Sequence, residues 1–160
     1  MSVPCSPTCA RPAVANQAHS RRLLGLAVAV PALAVLGAAL WLTPRPSGRG
    51  THQKLGMPAC SLLANSGWPC PTCGMTTSLA EAVRGRLGRA FRAHPFGPVL
   101  AGAMALLALS GLAQAASGRA LLAWVGCLGW WWGVILGGGL LAGWGWKLLA
   151  GCLSGEYPLR

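Results

Sequence analysis

The sequence predicts an all-α integral membrane protein with three transmembrane helices and a short cytoplasmic helical hairpin between the first and second. Three observations predict it. Hydrophobic residue types make up 54% of the 160 residues and charged types only 9%, against about 25% charged residues in an ordinary soluble domain. Three long runs, 23–42, 96–116 and 120–146, are free of charge. The charge that remains is one-sided: thirteen Lys and Arg face two acids, for a net charge of +11. That excess suits the anionic headgroup layer of a bilayer. It argues less for nucleic acid, whose binders carry a charge-rich soluble fold with stacking aromatics.

Residues 1–22 read as a disordered basic tail holding Arg11, Arg21, Arg22, Cys5 and Cys9. Residues 23–42 form the first span, because twenty residues at 1.5 Å each cover ~30 Å, the hydrocarbon thickness. Pro31 falls inside it, which lipid-embedded helices tolerate. The run is too long for the apolar region of a cleaved secretion signal, which is about 7–15 residues. Residues 96–116 form the second span, with Gln114 as its one strongly polar member. Residues 120–146 form the third, and the intervening Ser117-Gly118-Arg119 turn predicts that spans two and three are antiparallel neighbours. Residues 147–160 are a short tail. Gly129, Gly133 and Gly137 recur every four residues, a spacing that lets another helix backbone approach. Packing within the chain is one use of that stripe, and a homodimer or another membrane protein is a second. Trp144, Trp146 and Lys147 read as an interfacial anchor.

Orientation follows from the basic residues, which stay on the cytoplasmic side. The 43–95 loop carries seven and the C-terminal tail two, against three in the N-terminal tail and one, Arg119, in the tight turn. A multi-pass protein of the cell membrane with its long loop in the cytoplasm is therefore expected.

The loop carries the chemistry. Residues 43–56 are rich in Pro and Gly and read as a linker. Cys60 follows, then Cys70-Pro71-Thr72-Cys73-Gly74. After Gly74 an amphipathic helical pattern sets Met75, Leu79, Val83, Leu87, Ala90 and Phe91 on one face and Ser78, Glu81, Arg84, Arg89 and Arg92 on the other. A turn at Gly85, a natural helix C-terminal residue, folds the stretch into a hairpin. The turn returns His94 toward the cysteines, whereas an unbroken helix carries it ~30 Å away.

Two chemistries fit the cysteines. In the first, Cys60, Cys70, Cys73 and His94, with His52 as the alternative fourth ligand, close a tetrahedral Zn2+ site that staples a loop with little core of its own. In the second, Cys70 lies before a helix N-terminus that lowers its thiol pKa, and Cys73 resolves the mixed disulfide. In a third reading the cysteines are unligated small residues. The zinc set implies a non-enzymatic accessory or scaffold subunit, and the alternative is a membrane thiol–disulfide oxidoreductase. A Ser-His-Asp triad is excluded because the chain has no Asp, and with Glu81 and Glu156 as the only acids paired-carboxylate catalysis is excluded too. No charge lies within a run, as an ion path would require.

Residues 60–97 resemble a family of small bacterial membrane proteins classed as a domain of unknown function. Its pattern is a cysteine, then C-P-x-C-G-x-T-R, a short helix, Gly-Asp, another helix, and Asn-Pro or His-Pro entering a span. The matching residues are Cys60, Cys70, Pro71, Cys73, Gly74, Thr76, Gly85, His94 and Pro95. Thr77 stands where the family has Arg, and Arg86 where it has Asp. The resemblance implies membrane location and a cysteine loop with a helical hairpin, and it brings no biochemical activity.

Overall fold

The computed structural model describes residues 11–45, 47–48 and 50–155. The expected tail over residues 1–10, with Cys5 and Cys9, lies outside the described residues, as do Arg49 and Glu156. The described residues are helical, with no strand among them. Helix α1 spans Arg11–Trp41, α2 Ser61–Ser66, α3 Met75–Ala82, α4 Leu87–Ala93, α5 Phe96–Ser117, α6 Ala123–Leu128 and α7 Trp131–Leu153. A 3-10 turn over Thr51–Leu55 precedes α2. Three helices are long and apolar enough to cross a membrane: Asn16–Trp41, Phe96–Ser117 and Trp131–Leu153. Leu26, Val30, Leu109, Leu141 and Leu149 on these helices are all exposed. Such faces are stable only against lipid tails.

The pair α1–α5 is the backbone of the assembly. Its seam is made of small residues. Gly25, Ala29, Ala32 and Ala39 of α1 are buried, as are Gly97, Ala101, Ala108 and Gly111 of α5. Each set recurs at alternating steps of three and four or at their sum, the period that keeps one stripe facing a partner helix. The two helices come so close that a Cβ on Gly25 would lie 2.5 Å from the Gly111 carbonyl oxygen, and one on Gly111 2.7 Å from that of Gly25. Without water to expel from between apolar helices, close van der Waals packing of this kind is the main attraction in a bilayer.

Gln114 adds a polar clasp to that seam. It is 1% exposed. Its Nε2 donates to the Arg21 carbonyl oxygen at 2.9 Å and its Oε1 accepts from the Leu122 amide at 2.8 Å. One side chain thus joins α1, α5 and the chain entering α6.

Three boundaries differ from the sequence reading, one being the end of the third span, which runs through Lys147 to Leu153 instead of stopping at 146. The chain is helical from Arg11, so the part of the expected tail that is described extends the first span. The third hydrophobic run divides. Gly129, at φ +46°, separates α6 from α7, and the spanning helix begins at Trp131. Trp132 donates from Nε1 to the Val125 carbonyl oxygen at 2.9 Å and packs its ring 5.7 Å from that of Trp124. The tryptophans therefore hold the α6–α7 corner.

The glycine stripe is used differently as well. No atom lies within 4 Å of a Cβ placed on Gly129, Gly133 or Gly137. Gly139 and Gly143 instead meet Phe96 and His94, where a Cβ would lie 2.4 Å and 2.9 Å away. So α7 touches α5 near the start of α5, beside the hairpin.

Candidate functional site

The hairpin forms because α3 cannot continue past Gly85. That glycine has φ +74°, and the Arg86 amide reaches back to the Glu81 carbonyl oxygen at 3.0 Å. This is the bond pattern of a helix ended by a left-handed glycine. Arg86 then precedes α4 without any side-chain cap, so α4 is held by packing rather than by its own start signal. Ser78 supplies part of that hold. It is completely buried, and its Oγ shares its proton between the carbonyl oxygens of Ala90 at 2.7 Å and His94 at 2.8 Å. Gly97 makes room for it, since a Cβ there would sit 2.0 Å from that hydroxyl oxygen. The amphipathic pattern holds for the buried Leu79 and Ala90 and the exposed Arg89 and Arg92, and fails at four other positions. Ser78 and Glu81 are inside, while Leu87 and Phe91 are exposed.

The return of the chain brings His94 to the cysteine turn. The imidazole is completely buried. Its Nε2 pairs with the Pro71 carbonyl oxygen at 3.0 Å, and its Nδ1 accepts the Phe96 amide proton at 3.3 Å. An amide can only donate and a carbonyl can only accept, so the ring is the neutral tautomer protonated at Nε2. Burial holds its pKa below the ordinary histidine value. The Pro71 carbonyl opposes that shift, and the Lys147 ammonium reinforces it.

Cys70–Cys73 close a tight turn, with the Cys73 amide 2.9 Å from the Cys70 carbonyl oxygen. Cys73 is buried, whereas Cys60 and Cys70 are half-buried. Cys60 stands at the N-terminal end of α2, with Cys70 as its neighbour. Burial pushes the Cys60 thiol up. Hydrogen bonds with the Leu63 backbone, the thiol and backbone of Cys70, and the Leu62 backbone outweigh it, and the pKa lies below the ordinary thiol value. Cys70 Sγ also lies 3.4 Å from Thr72 Oγ1. A cavity of about 300 Å³ opens beside Cys60, lined also by Cys73, Arg45, Gln53 and Leu63.

Of the four residues of the expected zinc set, the structure joins Cys60 to Cys70 and ties His94 to the turn between Cys70 and Cys73. Among the described residues, no group of three or more His, Cys, Asp or Glu side chains is gathered closely enough to hold one ion. Both ring nitrogens of His94 are engaged in hydrogen bonds in this arrangement.

Span three supplies residues that the sequence reading assigned to the membrane interface. Trp144 donates from Nε1 to the Pro69 carbonyl oxygen at 2.8 Å. Lys147 Nζ donates to the carbonyl oxygens of Cys73 at 2.8 Å and Ala93 at 2.7 Å. The ammonium thus satisfies the end of α4, where the helix dipole is negative, and pins the cysteine turn to it. Gly74, at φ +88°, is the point of closest approach: a Cβ there would lie 2.5 Å from the Ala93 carbonyl oxygen and 2.8 Å from Lys147 Nζ. A lone cation near the end of an apolar run was the available signal for this role, and anchoring in headgroups explains it equally well in sequence.

Residues 60–108 match the model of a family described as a protein of unknown function, DUF2752. The match runs from Cys60 through the hairpin into α5, and the chain is similar to that family over this segment. No curated protein and no solved structure matches the chain.

Proposed function

We propose that this multi-pass membrane protein is a thiol–disulfide exchange module whose reactive pair is Cys60 and Cys70. The observation that carries the reading is the placing of Cys60, at the start of α2, next to Cys70, whose thiol and backbone help to lower the Cys60 pKa. A thiolate is the attacking species in disulfide exchange, and a lowered pKa raises its share near neutral pH. The Cys60 thiolate attacks one sulfur of a partner protein's disulfide and forms a mixed disulfide, and the other partner sulfur leaves as a thiolate. Cys70 then loses its proton and attacks the Cys60 sulfur. A Cys60–Cys70 disulfide forms and the second partner thiolate departs. The module loses two electrons and two protons, and the partner disulfide becomes two thiols. The reverse sequence oxidises a partner dithiol, and the compartment's redox poise sets the direction.

This pairing differs from exchange within C-P-T-C. Cys73 is only 5% exposed and serves as the structural end of the turn. We place the loop on the cytoplasmic side, supported by the nine basic residues of the loop and C-terminal tail against four elsewhere.

A Cys70→Ser variant, purified in detergent after exposure to a small protein disulfide, tests the reading. Cys60 is expected to stay in a mixed disulfide identified by peptide mass spectrometry, and the native chain to give a Cys60–Cys70 bond. Oxidation that links only Cys70 to Cys73, or no trapped adduct, overturns it. One equivalent of zinc lost on either Cys60→Ser or His94→Gln would favour the metal-stapled scaffold instead.

A further inference from the structure

A second cavity has a volume of about 610 Å³. It is lined by Arg45, Arg84, Arg86, Arg89 and Arg92, with Glu81 as its one acid, and by the Thr43, Ser47 and Thr77 residues. Five guanidinium groups around one carboxylate leave a strongly positive hollow. The five are not equally committed. Arg84 spends its Nη1 on the Ala39 and Ala80 carbonyl oxygens and its Nη2 on that of Leu40. Arg45 donates from Nη1 to Gln53 Oε1 at 2.7 Å. Arg86 approaches Glu81 at 3.6 Å. The exposed side chains of Arg89 and Arg92 have no hydrogen-bond or ion-pair partner among the described residues.

Arg89 and Arg92 are three apart on α4 and so project from one side of it. Two planar guanidinium forks on one wall match the oxygens of a phosphate, which arginine binds bidentately. Position narrows the class of ligand. Thr43 and Pro44, also in the lining, lie two and three residues past the end of the first span at Trp41. The hollow therefore opens at the level where headgroup phosphates lie. Glu81 Oε2, the oxygen that Arg86 approaches, is buried without a hydrogen bond, and a carboxylate oxygen has lone pairs to accept from a headgroup hydroxyl as well.

We propose that this cavity is a phosphate-ester site that takes the headgroup of an anionic glycerophospholipid, with Arg89 and Arg92 as the direct phosphate ligands. It is separate from the thiol chemistry and does not depend on it.

The test uses the full chain in neutral-detergent micelles, titrated with dihexanoyl phosphatidylglycerol and, separately, with inorganic phosphate. The native chain is expected to bind the lipid saturably. The Arg89→Ala/Arg92→Ala double variant is expected to weaken that binding by about tenfold or more, the scale of lost charge-assisted bonds. A Lys54→Ala/Arg119→Ala variant removes the same charge outside the cavity and is expected to shift affinity by less than about twofold, because screened distant charges contribute little. Displacement of the lipid by inorganic phosphate would show that the phosphate alone is recognised. Its failure to displace would show that the whole headgroup is. Equal weakening in the two double variants, or no saturable binding of either probe by the native chain, overturns the assignment.

Discussion

Lys147, in the last span, donates to the carbonyl oxygen of Cys73, 74 residues earlier in the chain, at 2.8 Å. The same ammonium donates to Ala93. Replacing it with Met keeps the apolar stem and removes both bonds. Hydrogen bonds to a charged group contribute about 1.5–3 kcal/mol each and are not additive. Lys147→Met is therefore expected to lower stability by about 2–4 kcal/mol. Alkylation of the buried Cys73 should accelerate, and a thermal melt with timed maleimide labelling reads both.

Gly74 and Gly85 both have positive φ, +88° and +74°, but only Gly74 is crowded. Gly85→Ala meets nothing within 4 Å and is expected to cost about 1 kcal/mol, the left-handed penalty alone. Gly74→Ala must also displace the Ala93 carbonyl and Lys147, and is expected to cost at least about 3 kcal/mol more. Equal melting temperatures for the two variants would show that the approach at Gly74 is not tight.

His94 sets a pH dependence whose sign is fixed. Its folded pKa is depressed, so the unfolded chain takes up this proton first as pH falls. Stability is then fully present above about 6.5 and declines as pH drops from there toward the lower folded value, by at most about 1.4 kcal/mol per pH unit. His94→Gln is expected to remove that slope. Denaturation midpoints from pH 8 to about 5, in native chain and variant, check it.

Gln114→Leu keeps the volume and apolarity of the second span while leaving the Arg21 carbonyl and the Leu122 amide without their partner. The expected loss is about 1–3 kcal/mol. A cysteine crosslink engineered between α1 and α5 should slow in the variant, and an unchanged rate would show that the small-residue seam suffices.

How much of this the sequence discloses depends on the kind of interaction. Spans one and two are legible because lipid demands a long apolar run, which 23–42 and 96–116 supply. The hairpin is legible in Gly85, whose lack of a side chain permits the left-handed turn. The third span was read as beginning at 120 because Gly129 is apolar by composition, and its positive φ is a backbone property that hydropathy does not register. The sequence grouped Cys60 with Cys70 and Cys73, while which neighbour influences the Cys60 thiol depends on where α2 lies relative to the turn. Ser78 was misplaced on the outer face because amphipathic reasoning sorts by polarity, and its hydroxyl is satisfied internally by two carbonyls. Lys147 and Trp144 bind main-chain oxygens far away in the chain, and such partners leave no mark in side-chain pattern.

That last feature bears on how the molecule tolerates change. The third span grips the cysteine segment at Pro69, Cys73 and Ala93, and in each case through the main chain. Every residue type offers the same oxygen there. Apart from the crowded Gly74, side chains along the segment can therefore be exchanged over evolutionary time, and its surface retuned for new partners, while the hold of the membrane helix on it stays intact.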